Sequence, residues 1–157
     1  MVVCLLCRSS QSVHGKGVRQ NYAEAAKWYR RAADQDYAEA QHSLSSMHAQ
    51  GLGVLQNYTA AAKWSRKAAQ QGHAKAQFNL GLLYVNGVGV QRDDAEAVKW
   101  FRRGAEQGHA DAQFNLGNML GNGLGVTQDH RKAVEWIEKA ARQGHSEAIS
   151  TLRRVHS

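Results

Sequence analysis

The 157-residue chain has no proline and only two cysteines, and aromatic residues make up 8% of it. Fifteen glycines without a single proline exclude a collagen-like chain, and 43% hydrophobic residues exclude wholesale disorder. The two cysteines, Cys4 and Cys7, are too few to staple a domain of this size. A lone C-x-x-C is half a zinc site without its other two ligands, or a redox pair without a βαβ context, and reads here as an incidental pair. The longest apolar run, Val2 to Cys7, falls far short of the ~20 residues of a membrane span. It is also a poor secretory signal, with no positive residue before it and no small-residue cleavage site after it. What remains is one domain's worth of chain, with 20 Lys and Arg against 13 Asp and Glu for a net charge of +7.

That chain repeats itself. Ala76-Gln77-Phe78-Asn79-Leu80-Gly81 recurs unchanged as Ala112-Gln113-Phe114-Asn115-Leu116-Gly117, 36 positions later. Trp28, Trp64, Trp100 and Trp136 keep the same spacing, as do the G-x-G-V turns beginning at Gly15, Gly51, Gly87 and Gly123.

Each unit reads as two helices. The first runs from about Ala74 to Asn86, with Ala76, Leu80, Leu83 and Tyr84 on one apolar face. It stops at Gly87-x-Gly89, where glycine tolerates a helix exit. The second starts at an N-cap, Asn21, Asn57, Asp93 or Asp129, and in two units Glu24 or Glu96 sits where a capping box needs it. Ala97, Trp100, Gly104 and Ala105 form its buried stripe, and Gln107-Gly108 ends it.

One hairpin cannot bury its own apolar face, so the units must stack. The expected fold is an all-α, right-handed α-solenoid of antiparallel helix pairs forming a single repeat domain over 1–157. Residues 1–37 are a degenerate or partial first repeat, in which Arg8 takes the slot of Leu44, Leu80 and Leu116. Full repeats follow at 38–73, 74–109 and 110–145, and 146–157 is a C-terminal capping helix.

The A-Q-x-x-L-G-x-x-Y of Ala76 to Tyr84, the G-x-G-V-x-x-D of Gly87 to Asp93 and the A-x-x-W-x-x-x-A-A-x-x-G of Ala61 to Gly72 resemble the Sel1-like repeat family, a relative of the tetratricopeptide repeat. The likeness covers roughly residues 15 to 155. The proline frequent in the family after G-x-G-V is replaced by Arg19, Leu55, Gln91 and Thr127. The resemblance implies a scaffold or adaptor that docks proteins or peptides, often in bacterial envelope, signalling or host-interaction pathways.

No catalytic residue, cofactor or metal site is expected. His73, His109 and His145 recur before each first helix, but equivalent positions in stacked hairpins sit on the order of 10 Å apart. Two imidazoles on one zinc need nitrogens within about 4 Å of each other. They read as turn-and-cap residues, while His42, His48 and His130 occur once each and form no cluster. Cysteine-rich family members are associated with penicillin-type compounds, but their paired cysteines are absent here, and no serine has a lysine three positions on. A β-lactam-binding or β-lactamase-like activity is therefore the weakest of the alternatives.

In related solenoids the first helices line the concave surface. Mapping by register gives Glu39, His42, Ser46 and Gln50 in one unit, then Lys75, Phe78, Leu82, Val85 and Asn86, then Asp111, Phe114, Asn118 and Asn122. This groove has an apolar middle and polar flanks, a layout suited to a peptide. Phe78 and Phe114 also suit packing between neighbouring helices. The second helices carry a basic ladder of Lys27, Arg30, Arg31, Lys63, Arg66, Lys67, Lys99, Arg102 and Arg103, interrupted by Glu135 and Glu138. The ladder offers an alternative, polyanion or nucleic-acid binding, although a solvated helix face explains it as well. The expectation is a monomeric protein-interaction module, not an enzyme, without a membrane span. As written it is cytoplasmic, or periplasmic or secreted if a signal is missing from the chain.

Overall fold

The computed structural model describes residues 21–155. Among these every regular element is a helix: α1 (Tyr22–Ala33), α2 (Ala38–Gln50), α3 (Tyr58–Gln70), α4 (Ala74–Asn86), α5 (Asp94–Glu106), α6 (Ala110–Asn122), α7 (His130–Arg142) and α8 (Ser146–Val155). The expected Cys4 and Cys7 pair, the Arg8 slot and the Gly15 turn lie outside the described residues. Each helix packs mainly on its neighbours in sequence, which is the contact pattern of a solenoid.

Capping fixes where the second helices begin. Asn21, Asn57, Asp93 and Asp129 accept the backbone N–H of the third residue onward at 2.9–3.1 Å. The expected capping box does not close. Glu24 and Glu96 turn outward to Lys27 and Lys99 on the next turn of helix. The amide that Glu96 would have bonded is already taken, because the Asp93 N–H donates to the carbonyl of Tyr84 at 3.1 Å. That bond ties the start of each full unit's second helix to its first: Asn57 and Asp129 reach the carbonyls of His48 and Leu120 in the same way.

The first helices end at Gly51, Gly87 and Gly123, all left-handed. The second glycine of the turn has a further constraint. Gly89 has φ +71°, and a Cβ there would lie 2.1 Å from the carbonyl oxygen of Tyr58. The turn after α4 therefore rests directly on the first residue of α3, in the preceding unit, and Gly53 and Gly125 rest on Tyr22 and Asp94 alike.

Leu44, Leu80 and Leu116 are at most 1% exposed and anchor successive layers. Burying each contributes roughly 1.5–3 kcal/mol. Alanines at 68–69 and 105 let adjacent helices approach, and Trp64 and Trp100, 6% and 7% exposed, fill the remaining gaps. Large and small residues alternate across facing helices: a Cβ on Gly81 would meet the Phe101 ring at 2.5 Å, and one on Gly117 would meet Ile137 at 2.6 Å. In the unit before them serines take both places. Ser45 bonds the carbonyl of Ala61 at 2.8 Å, and Ser65 bonds that of Ala76 at 3.1 Å.

Candidate partner-binding face

The residues expected to line the groove all fall on α2, α4 and α6, and none is buried. Glu39, Gln50, Lys75, Asn86, Asp111 and Asn122 are exposed, while His42, Ser46, Phe78, Leu82, Val85, Phe114 and Asn118 are half-buried. Phe78, Leu82 and Val85 lean on the apolar cluster built from α5, α6 and α7, and Phe114 leans on that of Ile137, Ala140 and Ala148. The two phenylalanines thus pack between units. Phe78 stacks on His109 with ring centres 5.0 Å apart, and Phe114 lies against His145 at 4.7 Å.

The recurring histidines cap the first helices. Nδ1 of His73, His109 and His145 accepts the N–H of Ala76, Ala112 and Ala148 at 3.2–3.3 Å. An Nδ1 that accepts leaves the proton on Nε2. His73 Nε2 then faces Glu39 Oε2 at 2.7 Å, and His145 Nε2 faces Asp111 Oδ1 at 3.2 Å. Between them, His109 has Lys75 nearby where the other two have a carboxylate from the preceding unit. Burial pushes its pKa down, against the opposing pull of Asp111 and with help from Lys75.

His42 sits beside one of the recurring histidines, an arrangement the sequence did not show. It holds the register position of Phe78 and Phe114 and, like them, stacks on the next unit's histidine, His73, at 4.8 Å. Register had shown which slot it fills but not that the slot faces the following unit's cap. Its Nδ1 is buried without a hydrogen-bond partner. Burial first, and then the neighbouring His73, push its pKa down to about 4. The hydrogen bond from His73 holds the Glu39 carboxyl below its ordinary range.

Beneath this surface runs a line of buried amides. Gln41, Gln77 and Gln113 each donate from Nε2 to a carbonyl of the preceding second helix, those of Ala33, Ala69 and Ala105, at 3.1 Å. Their Oε1 atoms accept from Gln71, Gln107 and Gln143, thirty residues on, at 2.7–2.8 Å. Each glutamine joins three consecutive helices and leaves no buried amide idle.

The basic ladder has its own regularity. Arg31, Lys67, Arg103 and Lys139 each lie over the tryptophan three residues earlier, with centroid distances of 4.9, 5.0, 4.6 and 3.9 Å. In each pair the cationic head itself lies over the indole face. Three concavities of about 250, 490 and 440 Å³ lie on this side, between a second helix and a following turn, and none is lined by an expected groove residue. The described residues contain no group of three or more His, Cys, Asp or Glu able to hold a metal.

The amide line, the ring stacks and the Trp–cation pairs escaped the sequence reading, although each left a trace at the repeat period. Gln41, Gln77 and Gln113, Gln71, Gln107 and Gln143, and W-x-x-[RK] all recur every 36 residues.

No curated protein matches the chain. Among solved structures, a protective antigen of uropathogenic Escherichia coli with an SLR fold is 39% identical, with a TM-score of 0.92 over 97% of this chain and 32% of that one. A Sel1 repeat protein from Oxalobacter formigenes is 37% identical, with a TM-score of 0.86 over 94% of this chain and 60% of that one. The chain thus spans about a third of the first and three-fifths of the second. Cysteine-rich protein B of Helicobacter pylori, 24% identical with a TM-score of 0.66 over 88% of this chain and 99% of that one, shares the fold. The Sel1 repeat itself matches at residues 12–37, 38–73, 74–109 and 110–145, and with that the chain belongs to the Sel1 repeat family.

Proposed function

We propose that the chain is a non-enzymatic protein-interaction module that holds a protein or peptide segment against its first helices. The observation that carries this reading is the contrast along α4: half-buried Leu82 stands where the neighbouring units have Ser46 and Asn118, and half-buried Val85 where they have Ala49 and Gly121. Apolar side chains left half in water, between polar flanks, gain by being covered. Few charges oppose that, since α2, α4 and α6 carry only Glu39, Lys75 and Asp111.

The test is affinity capture from nuclease-treated host lysate with the wild type and a Lys75→Glu, Leu82→Glu variant, with circular dichroism confirming that both fold. A protein held by the wild type and lost by the variant supports the reading. Equal retention by both overturns it. A monomeric state is part of the same proposal and is checked by light scattering. A cytoplasmic compartment is likewise part of the proposal and is checked by cell fractionation.

A further inference from the structure

The second helices share a basic ladder, but only α3 carries it without an acidic residue in the same helix. In α1, Lys27 pairs with Glu24 at 3.7 Å and Arg30 with Asp34 at 3.1 Å. In α5, Lys99 pairs with Glu96, and Glu106 follows in the last turn. In α7 the ladder positions themselves become Glu135 and Glu138. Helix α3 keeps all three cations, Lys63, Arg66 and Lys67, while the two acidic positions of its neighbours hold Ala60 and Gln70. No carboxylate lies within ion-pair distance of these three cations among the described residues.

Two of the three are held in place by uncharged groups. Arg66 donates to the Tyr84 hydroxyl at 2.6 Å, and Lys67 lies over the Trp64 ring at 5.0 Å. All three line one concavity of about 250 Å³ between α3 and the turn that follows α4, together with Thr59, Gln70 and Gly89. Its lining contains no acidic residue. The adjoining concavity shares Arg66 but contains Asp93 and Glu96, which bound the positive region on that side.

We propose that this concavity is a binding site for a single phosphate-type oxyanion. The fork of Arg66 suits two oxygens of one group, Lys63 and Lys67 add point charge, and Thr59 and Gln70 add neutral donors. A nucleic-acid backbone calls for positive charge that continues from unit to unit; here α1 keeps only Arg31 without a carboxylate partner, and α5 balances its three cations with Asp94, Glu96 and Glu106. The observations therefore favour one compact anionic group over a polymer.

The test follows backbone amide NMR shifts while inorganic phosphate is added, with chloride at matched ionic strength as the reference. Two further probes are a phosphoserine peptide beside its unphosphorylated twin, and phosphatidylcholine vesicles with and without phosphatidic acid. The expected result is saturable shifts at residues 59–70 and 89–90 with at least one phosphate probe, and the tightest of the three identifies the source of the anion. An Ala60→Glu, Gln70→Glu variant restores the acids of neighbouring helices and leaves every cation in place. It should bind about tenfold or more weakly, while Lys99→Gln on α5 changes nothing. Non-saturating shifts, equal response to chloride, indifference to the α3 variant, or an RNA oligonucleotide bound along α1, α3 and α5 together would each overturn the proposal.

Discussion

The two sides of this solenoid are built from the same repeat and have opposite chemistry. Helices α2, α4 and α6 carry three charged side chains between them, whereas α1, α3, α5 and α7 carry nineteen. On the first-helix side the buried polar groups include glutamines whose partners lie in adjacent helices. On the second-helix side the charged groups point outward and mostly bond within their own helix. The difference shows how a stack of small units divides its tasks. Directional bonds that fix the order and angle of the units must be sheltered from water, where they are strongest. Charges that keep the surface wet can vary from unit to unit at little cost, and they do.

Four tests, using five substitutions, probe that division, from the largest expected effect to the smallest. Gly81→Val drives a side chain into the Phe101 ring and should cost roughly 3 kcal/mol in urea denaturation. Phe101→Ala in the same chain should return part of that loss, and strictly additive losses would mean that the two residues do not face each other as described. Next, Gln77→Leu removes the bond to Ala69 and strands Gln107, for a cost of about 1–3 kcal/mol.

A third effect depends on pH. The ordinary histidine value is 6.5, and the fold holds His42 near 4, so the unfolded chain binds more protons between those values. This contribution is complete above pH 6.5 and is lost as pH falls toward 4. The urea midpoint should therefore decline over that range, and His42→Phe, which copies Phe78 and Phe114, should flatten the decline. An unchanged slope would remove His42 as its source. Smallest of all, Glu96→Ala breaks an exposed pair with Lys99 and should shift stability by less than about 0.5 kcal/mol. A loss as large as that of Gln77→Leu would erase the contrast between the two sides.

The helices, their N-caps and the layers of leucine were legible in the sequence because they depend on spacing within one unit. Three features were not. The reach from Gln77 to Gln107 and the stacking of His42 on His73 depend on how one helix sits on the next, and Glu96 turns to Lys99 on its own helix where the Asp93 amide is already bonded to Tyr84. A period reports that positions are equivalent without saying which way a side chain turns. The candidate groove was legible in part: register assigned its residues to the right helices and allowed Phe78 and Phe114 to pack between units, but it did not show His109 and His145 as their ring partners. The α3 concavity was hidden for another reason. It arises from what Ala60 and Gln70 are not, seen against Glu24, Asp34, Glu96 and Glu106.

The glutamine line has a consequence for ancestry. Each full unit carries an amide that reaches back to the previous helix, and the first two also carry the carbonyl, at 69 or 105, that receives the next one. Copying such a segment within its gene inserts a finished joint at both ends, with no compensating change elsewhere. Unequal recombination could lengthen or shorten this protein in whole units, and selection would then act on the loose letters of each copy, its surface.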